Sequence, residues 1–291
     1  MSRDQLIIGC GYLGARVASL LVRQGLNVNA TTLSEKSWPE LQRLEVNPTL
    51  FDIAALGPDD RYPNVAAYDD LDVFFMLTPS AIRPVLDTPT GYDSLLRWLG
   101  GLPIRRAILV SSTSVYGSTS GTVVSAETIA KPADTRGQIV AEIERRWLNV
   151  GQAFMVCRLA GLYGPGRIIG RNKLASRQPI SGDPDSWLNL IHIDDAADFV
   201  IACARSQRVK PIELVSDGRP VKRRDYYGFV AEQLGISEPV VFDSMAKEPS
   251  ATSRRCDPSS TMNRVGWQPR YSSYREGLLQ SFKALSDSSV S

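Results

Sequence analysis

Leu6-Ile7-Ile8-Gly9-Cys10-Gly11-Tyr12-Leu13-Gly14 decides the fold. A short apolar run enters G-x-G-x-x-G, and Ala15 to Gln24 follows with Val17, Leu20 and Leu21 on one helical side. A strand, a glycine turn and a helix in this order form a dinucleotide-binding fingerprint. Gly9 makes the tight turn, Gly11 leaves room for a pyrophosphate, and Gly14 lets helix and strand pack closely. Tyr12 and Leu13, inside the motif, are further cofactor-binding candidates, and the phosphates sit on the helix N-terminus, where the free N–H groups point.

Working outward, Val28 to Leu33 reads as the second strand and Leu50 to Ile53 as the third, with a helix around Pro39 to Leu44 between them. An NAD site places an acidic residue after the second strand to hold the ribose hydroxyls. Here the chain reads Thr32-Leu33-Ser34-Glu35-Lys36. Ser34 can hydrogen-bond a 2′-phosphate and Lys36 can neutralise it, which favours NADP. Glu35 could instead accept from the ribose, which leaves NAD open. Asp52 and Ile53 should come up beside the adenine, although Asp52 could equally cap a helix.

Asp72 to Leu77 is an apolar strand, as parallel sheets require, ending at Leu77-Thr78. After the helix Tyr92 to Leu99, the strand Ala107 to Val110 ends in Ser111-Ser112. These positions belong at the carboxyl edge, where cofactor and substrate meet. The fold class is therefore α/β, a doubly wound parallel sheet of Rossmann type. Further helices are predicted at Thr135 to Leu148, Ile168 to Gln178 and Ala196 to Ala204, and strands at Ala153 to Arg158 and Leu188 to Ile193. From Ile212 the chain is more broken by Pro and Ser. Residues 1–160, with 188–215 returning to them, form the expected nucleotide domain; 161–187 and 216–291 form a small C-terminal substrate-binding subdomain.

The 33 basic and 31 acidic residues leave a formal charge of +2 and no long run of one sign, so nucleic acid is not the expected partner. No apolar run approaches the length of a membrane span, and no signal segment opens the chain. A cytoplasmic protein with a small-molecule substrate is expected. Cys10, Cys157, Cys203 and Cys256 are far apart without ligand spacing, and His192 is the one histidine, so no metal site is expected.

A hydroxyl beside a nicotinamide can orient an alcohol or carbonyl, and a Tyr-x-x-x-Lys in the next helix would supply the base. No tyrosine stands between Tyr116 and Tyr163, and the one lysine there is Lys131. The glycine motif, SSTSVYG (111–117), RLAGLYGPGR (158–167), LIHIDDAA (190–197) and NRVGWQPRYSSYREGL (263–278) together resemble the extended short-chain dehydrogenases/reductases. That group contains NAD(P)-dependent sugar-nucleotide epimerases and dehydratases. The resemblance spans nearly the whole chain. It implies that Ser112 is the catalytic hydroxyl. It also implies that the family's tyrosine and lysine fall at Arg136 and Val140, or, two residues earlier, at Asp134 and Gln138. Neither registration restores the pair, so the chain resembles an atypical branch.

Tyr163 and Tyr116 are the phenols that could replace the base, or they could simply pack beside the turn glycines. Arg136 could hold a phosphate or carboxylate as a bidentate fork. Arg167 and Asn189 flank the region that binds the nucleotide diphosphate in related enzymes, as do Arg171, Asn172 and Lys173, which could equally form a solvated helix face. His192 could hold substrate or be a packed residue. Two functions follow: an NAD(P)-dependent oxidoreductase or epimerase-like enzyme, or a catalytically silent dinucleotide-binding protein. The resemblance also implies a homodimer through the helices at 91–99 and 135–148.

Overall fold

The structure, a computed structural model, describes residues 4–55, 70–88, 91–117, 121–243 and 253–288. Seven strands form one sheet: β1 (Asp4–Ile8), β2 (Asn27–Thr32), β3 (Asn47–Leu50), β4 (Leu71–Phe75), β5 (Ile104–Ser112), β6 (Phe154–Leu159) and β7 (Ile212–Val215). Their spatial order is β7-β6-β5-β4-β1-β2-β3, and the pairs β1–β2, β1–β4, β2–β3 and β4–β5 run parallel. The order reverses at β1, the switch point at which doubly wound sheets bind ligands. The helices α1 (Tyr12–Val22), α2 (Trp38–Arg43), α3 (Tyr92–Gly100), α4 (Thr135–Leu148) and α5 (Ile193–Arg205) connect the strands. The later part of the chain adds α6 (Arg223–Gln233), α7 (Ser259–Val265) and α8 (Tyr274–Ser288).

The chain divides into two compact units, Met1–Ser111 with Ile139–Arg158 and Ala197–Glu213, and Ser112–Gln138 with Leu159–Ala196 and Leu214–Ser291. Residues 112–138 and 188–196 thus fall with the C-terminal part, unlike the division expected from sequence. One cause is a parallel pairing of Thr122–Val124 with Arg254–Cys256, which ties the segment after β5 to residues far along the chain.

In the first unit, β4 is buried along its whole length, which explains its apolar residues Leu71 and Val73–Phe75, and the buried Asp72 between them is paired with Arg105. Leu6, Ile8, Val73, Phe75, Leu95, Leu99, Leu109 and Val156 belong to one core. Trp147 of α4 sits in it with no exposed surface, 5.1 Å from the Phe75 ring and 5.0 Å from Phe154. Its indole N–H donates to Met155 O at 3.0 Å, so the polar edge is satisfied. The second unit has its own core, with Tyr163, Leu190, Tyr226, Val230 and Leu278.

Three predicted elements differ. The third strand is Asn47–Leu50 rather than Leu50–Ile53, and Ile53–Ala55 is a 3-10 turn. Pro48 disguises the strand, but β3 is the sheet edge, where a missing N–H is tolerated. The helix predicted at 168–178 shrinks to Arg171–Ala175, because Gly170 takes φ +78° and Arg177 φ +55°. The strand predicted at 188–193 is two short pieces, Trp187–Leu188 and Leu190–His192, and α5 begins at Ile193.

Trp147→Ala removes a fully buried ring from the first core. We expect a loss of about 3–5 kcal/mol in unfolding free energy, read from denaturant titration.

Candidate functional site

The glycine turn is built by contacts that a side chain would prevent. Gly9 takes φ +93°, and a Cβ there would lie 2.9 Å from Leu77 Cδ2. A Cβ on Gly14 would lie 2.7 Å from Gly9 O, so the third glycine lets α1 start hard against β1. Gly11 has open space where a Cβ would stand. Open space at the N-terminus of an eleven-residue helix is what a pyrophosphate requires, so the residues present fit a dinucleotide. Thr31, which the sequence did not single out, pins the turn: its Oγ1 accepts from Gly9 N at 2.9 Å and its carbonyl from Cys10 N at 2.8 Å. Tyr12 is half-buried and Leu13 is buried, both in the first turn of α1. Burial, with Glu40 nearby, pushes the Cys10 thiol up to about 12, so it stays neutral.

At the end of β2, Thr32 turns inward. Its Oγ1 donates to Ser34 O at 3.1 Å and accepts from the Trp38 indole at 3.3 Å. Ser34 Oγ accepts from Lys36 N at 3.2 Å and caps a 3-10 turn, so Ser34 and Lys36 stand exposed with Glu35 on one short loop. Asp52 does act as a cap: its Oδ1 accepts from Ala54 N at 2.9 Å, while the carboxylate stays exposed. The Ile53 side chain is 3% exposed and packs in the first core. Leu77 is half-buried, and exposed Thr78 bonds Ser80 Oγ. Ser111 Oγ donates to Glu144, whose carboxylate also takes Arg158 Nη2 at 2.7 Å and Nε at 3.1 Å. Both members of that ion pair are nearly fully buried. A buried carboxylate keeps its charge only with such partners.

In the second unit, Ser112 ends β5 half-buried, its Oγ accepting from Ser114 N at 3.2 Å. The two candidate phenols are packed. Tyr116 is 2% exposed and donates to Ser125 O at 2.8 Å. Tyr163 has no exposed surface, and its hydroxyl abuts Gly277, where a Cβ would come within 2.2 Å. Burial pushes its phenol well above the ordinary range, so Tyr163 is not a base.

His192, also expected near substrate, is 1% exposed. Its Nδ1 accepts from Asp194 N at 3.3 Å and its Nε2 meets Gln280 Oε1 at 3.1 Å, which assigns a neutral ring protonated at Nε2. Tyr271 stacks on it with centroids 4.1 Å apart. Asn189 is likewise spent on structure: Nδ2 donates to Arg254 O at 2.9 Å and Oδ1 accepts from Cys256 N at 2.7 Å. Arg136 and Arg167 are exposed, and Lys173 bonds Ser181 Oγ. No group of His, Cys, Asp and Glu able to hold a metal ion occurs among the described residues. Among them, no helix is long and apolar enough to cross a membrane.

The dinucleotide-type turn and the strand order define a doubly wound fold of Rossmann type. Comparison with known proteins agrees on that fold. The chain is 26% identical over 275 residues to Protein YeeZ of Escherichia coli K12, covering 91% of this chain and 95% of that one. Over 97 residues, 29% of this chain and 25% of the other, it is 31% identical to zebrafish (Danio rerio) short-chain dehydrogenase/reductase family 42E member 1. Among solved structures, UDP-glucose 4-epimerase of Thermotoga maritima with UDP-glucose superposes with a TM-score of 0.79 at 18% identity, covering 99% and 100% of the two chains. The dTDP-glucose 4,6-dehydratase of Bacillus anthracis in complex with NAD gives 0.79 at 15%, covering 98% and 97%. No family profile matches the chain.

Two expectations follow from the buried acids. Glu144→Ala strands the Arg158 charge, so unfolding free energy should fall by about 3–5 kcal/mol in denaturant titration. Asp217, 6% exposed, is pushed by burial from 3.8 up to about 7. The folded chain thus keeps a proton that the unfolded chain releases above about pH 4. This contribution is complete below pH 4 and is lost as pH rises to about 7, as much as about 4 kcal/mol. Stability measured from pH 4 to 8 should decline through that window in the parent and lose that component in Asp217→Asn.

Proposed function

We propose that this chain is an NAD(P)-dependent oxidoreductase or epimerase-like enzyme acting on an alcohol or carbonyl of a sugar nucleotide. The observation that carries the reading is the open space over Gly11 at the N-terminus of α1, framed by glycines at 9 and 14. Gly11, the Leu13 N–H and the first turn of α1 would hold the pyrophosphate. Ser34 and Lys36 favour a 2′-phosphate, hence NADP, and no carboxylate takes the place of Thr32. When bound, the dinucleotide supplies hydride transfer at its nicotinamide. Ser112 would hold the substrate oxygen, since its Oγ accepts a backbone N–H and keeps its own proton to donate. The sugar-nucleotide class is supported by the ligands and names of the structural neighbours, which acted as guides to the fold at identities below 25%.

A second reading, a silent dinucleotide-binding protein, is favoured by one feature. α4 carries neither a tyrosine nor a lysine, and the two registrations that the resemblance allows put Arg136 or Asp134 at the tyrosine's place.

Separate calorimetric titrations of NADH and NADPH test the cofactor, followed by turnover against nucleotide sugars and small carbonyls. Binding of neither cofactor sinks both readings; binding without turnover across the panel selects the silent one. Lys36→Ala should weaken NADPH about tenfold and NADH by less than about twofold, since a lost charge-assisted contact to phosphate is worth about 1.5 kcal/mol.

A further inference from the structure

The turn after Ser112 is braced from two sides, by Asp134, one of the two positions at which the resemblance puts the family's tyrosine, and by Arg254, which the sequence did not mark as a site. On one side is the head of α4. Asp134 is half-buried, its Oδ1 accepts from Gly137 N at 2.7 Å, and its Oδ2 makes no hydrogen bond among the described residues. Gly137 packs on the turn: a Cβ there would lie 3.0 Å from Ser114 O and 3.3 Å from Asp134 Oδ1. The carboxylate and the serine turn therefore share the bare face of Gly137. On the other side is Arg254, 7% exposed, donating to Gly117 O at 3.0 Å and Thr113 Oγ1 at 3.4 Å. Burial works against its charge, and the nearby carboxylate of Asp134 is one of the groups that support it. Asn189 holds the Arg254 main chain in place.

Glu144 holds Arg158 and Ser111, Glu127 holds Ser260 Oγ and Arg264, and Asp217 is buried. A half-exposed carboxylate with one oxygen to spare, a hydroxyl and a buried cation thus surround one turn. We infer that Asp134 is the acid–base residue of this site, serving the substrate hydroxyl that Ser112 holds, with Arg254 as the positioning residue of the turn. The inference rests on the proposed enzymatic reading. In the oxidative direction the substrate O–H bond breaks and its proton passes to Asp134 Oδ2. The dinucleotide that the Gly9–Gly14 turn would hold would supply the acceptor for the hydride lost from the same carbon, so that the C–H and O–H bonds are exchanged for a C=O bond. In reduction Asp134 returns the proton.

UDP-glucose is the probe, titrated calorimetrically into the cofactor-free protein. Ser112→Ala and Asp134→Ala should each weaken it at least fivefold. The double variant should bind little worse than the weaker single variant, because both residues grip one hydroxyl. Asp134→Asn keeps the helix cap, so its melting temperature and NAD(P)H affinity should match the parent while turnover falls at least 100-fold. Parent-like probe binding in Asp134→Ala, multiplicative losses in the double variant, or parent-like turnover in Asp134→Asn each overturn the assignment. If the parent binds no nucleotide sugar, the substrate reading itself fails and the assignment falls with it. That result differs from a parent that binds and a variant that is unaffected.

Discussion

A helix can begin directly against a strand only where no side chain holds the two apart. Gly14 meets Gly9 O at a distance no Cβ could occupy, and Thr31 locks the turn from the neighbouring strand. This close approach aims the N–H groups of α1 past the end of β1, at the reversal point of the strand order. Leu77 is drawn in as well, because it fills the side of Gly9 that a side chain would otherwise claim. The ends of β1, β2 and β4 thus share one constraint, and the candidate dinucleotide site is its outward face.

Much of the fold was legible because its signals are local. The glycine spacing, the apolar run Val73–Phe75 of β4 and the 3.6-residue pattern of the fourteen-residue α4 are each read within one element. Pro48 misled because proline argues against a strand unless the strand is known to be an edge, which is a fact about the whole sheet. The site was less legible. Tyr163 and His192 have the right chemistry for a substrate group, but a sequence does not say whether a polar side chain turns into a core. Asn189, 67 residues from the Cys256 N–H it accepts, and Arg254, 137 from Gly117 O, act through contacts that no spacing rule encodes.

Acids of this chain show how surroundings divide one functional group into different roles. Glu144 is fully partnered by a buried guanidinium and a serine hydroxyl and behaves as an internal strut. Asp217 is buried with one oxygen unpartnered, which favours its neutral form. Asp134 is half-buried, caps α4 with one oxygen and lies near enough to Arg254 to support its charge.

The edge strand β3 carries a further consequence. A parallel sheet that stops at an edge leaves a row of main-chain groups able to recruit a strand from another molecule. β3 has only four residues, and Pro48 removes one of its donors. The rim of the sheet is a poor template for cross-chain hydrogen bonding, so the sheet ends at seven strands with a built-in defence against aggregation.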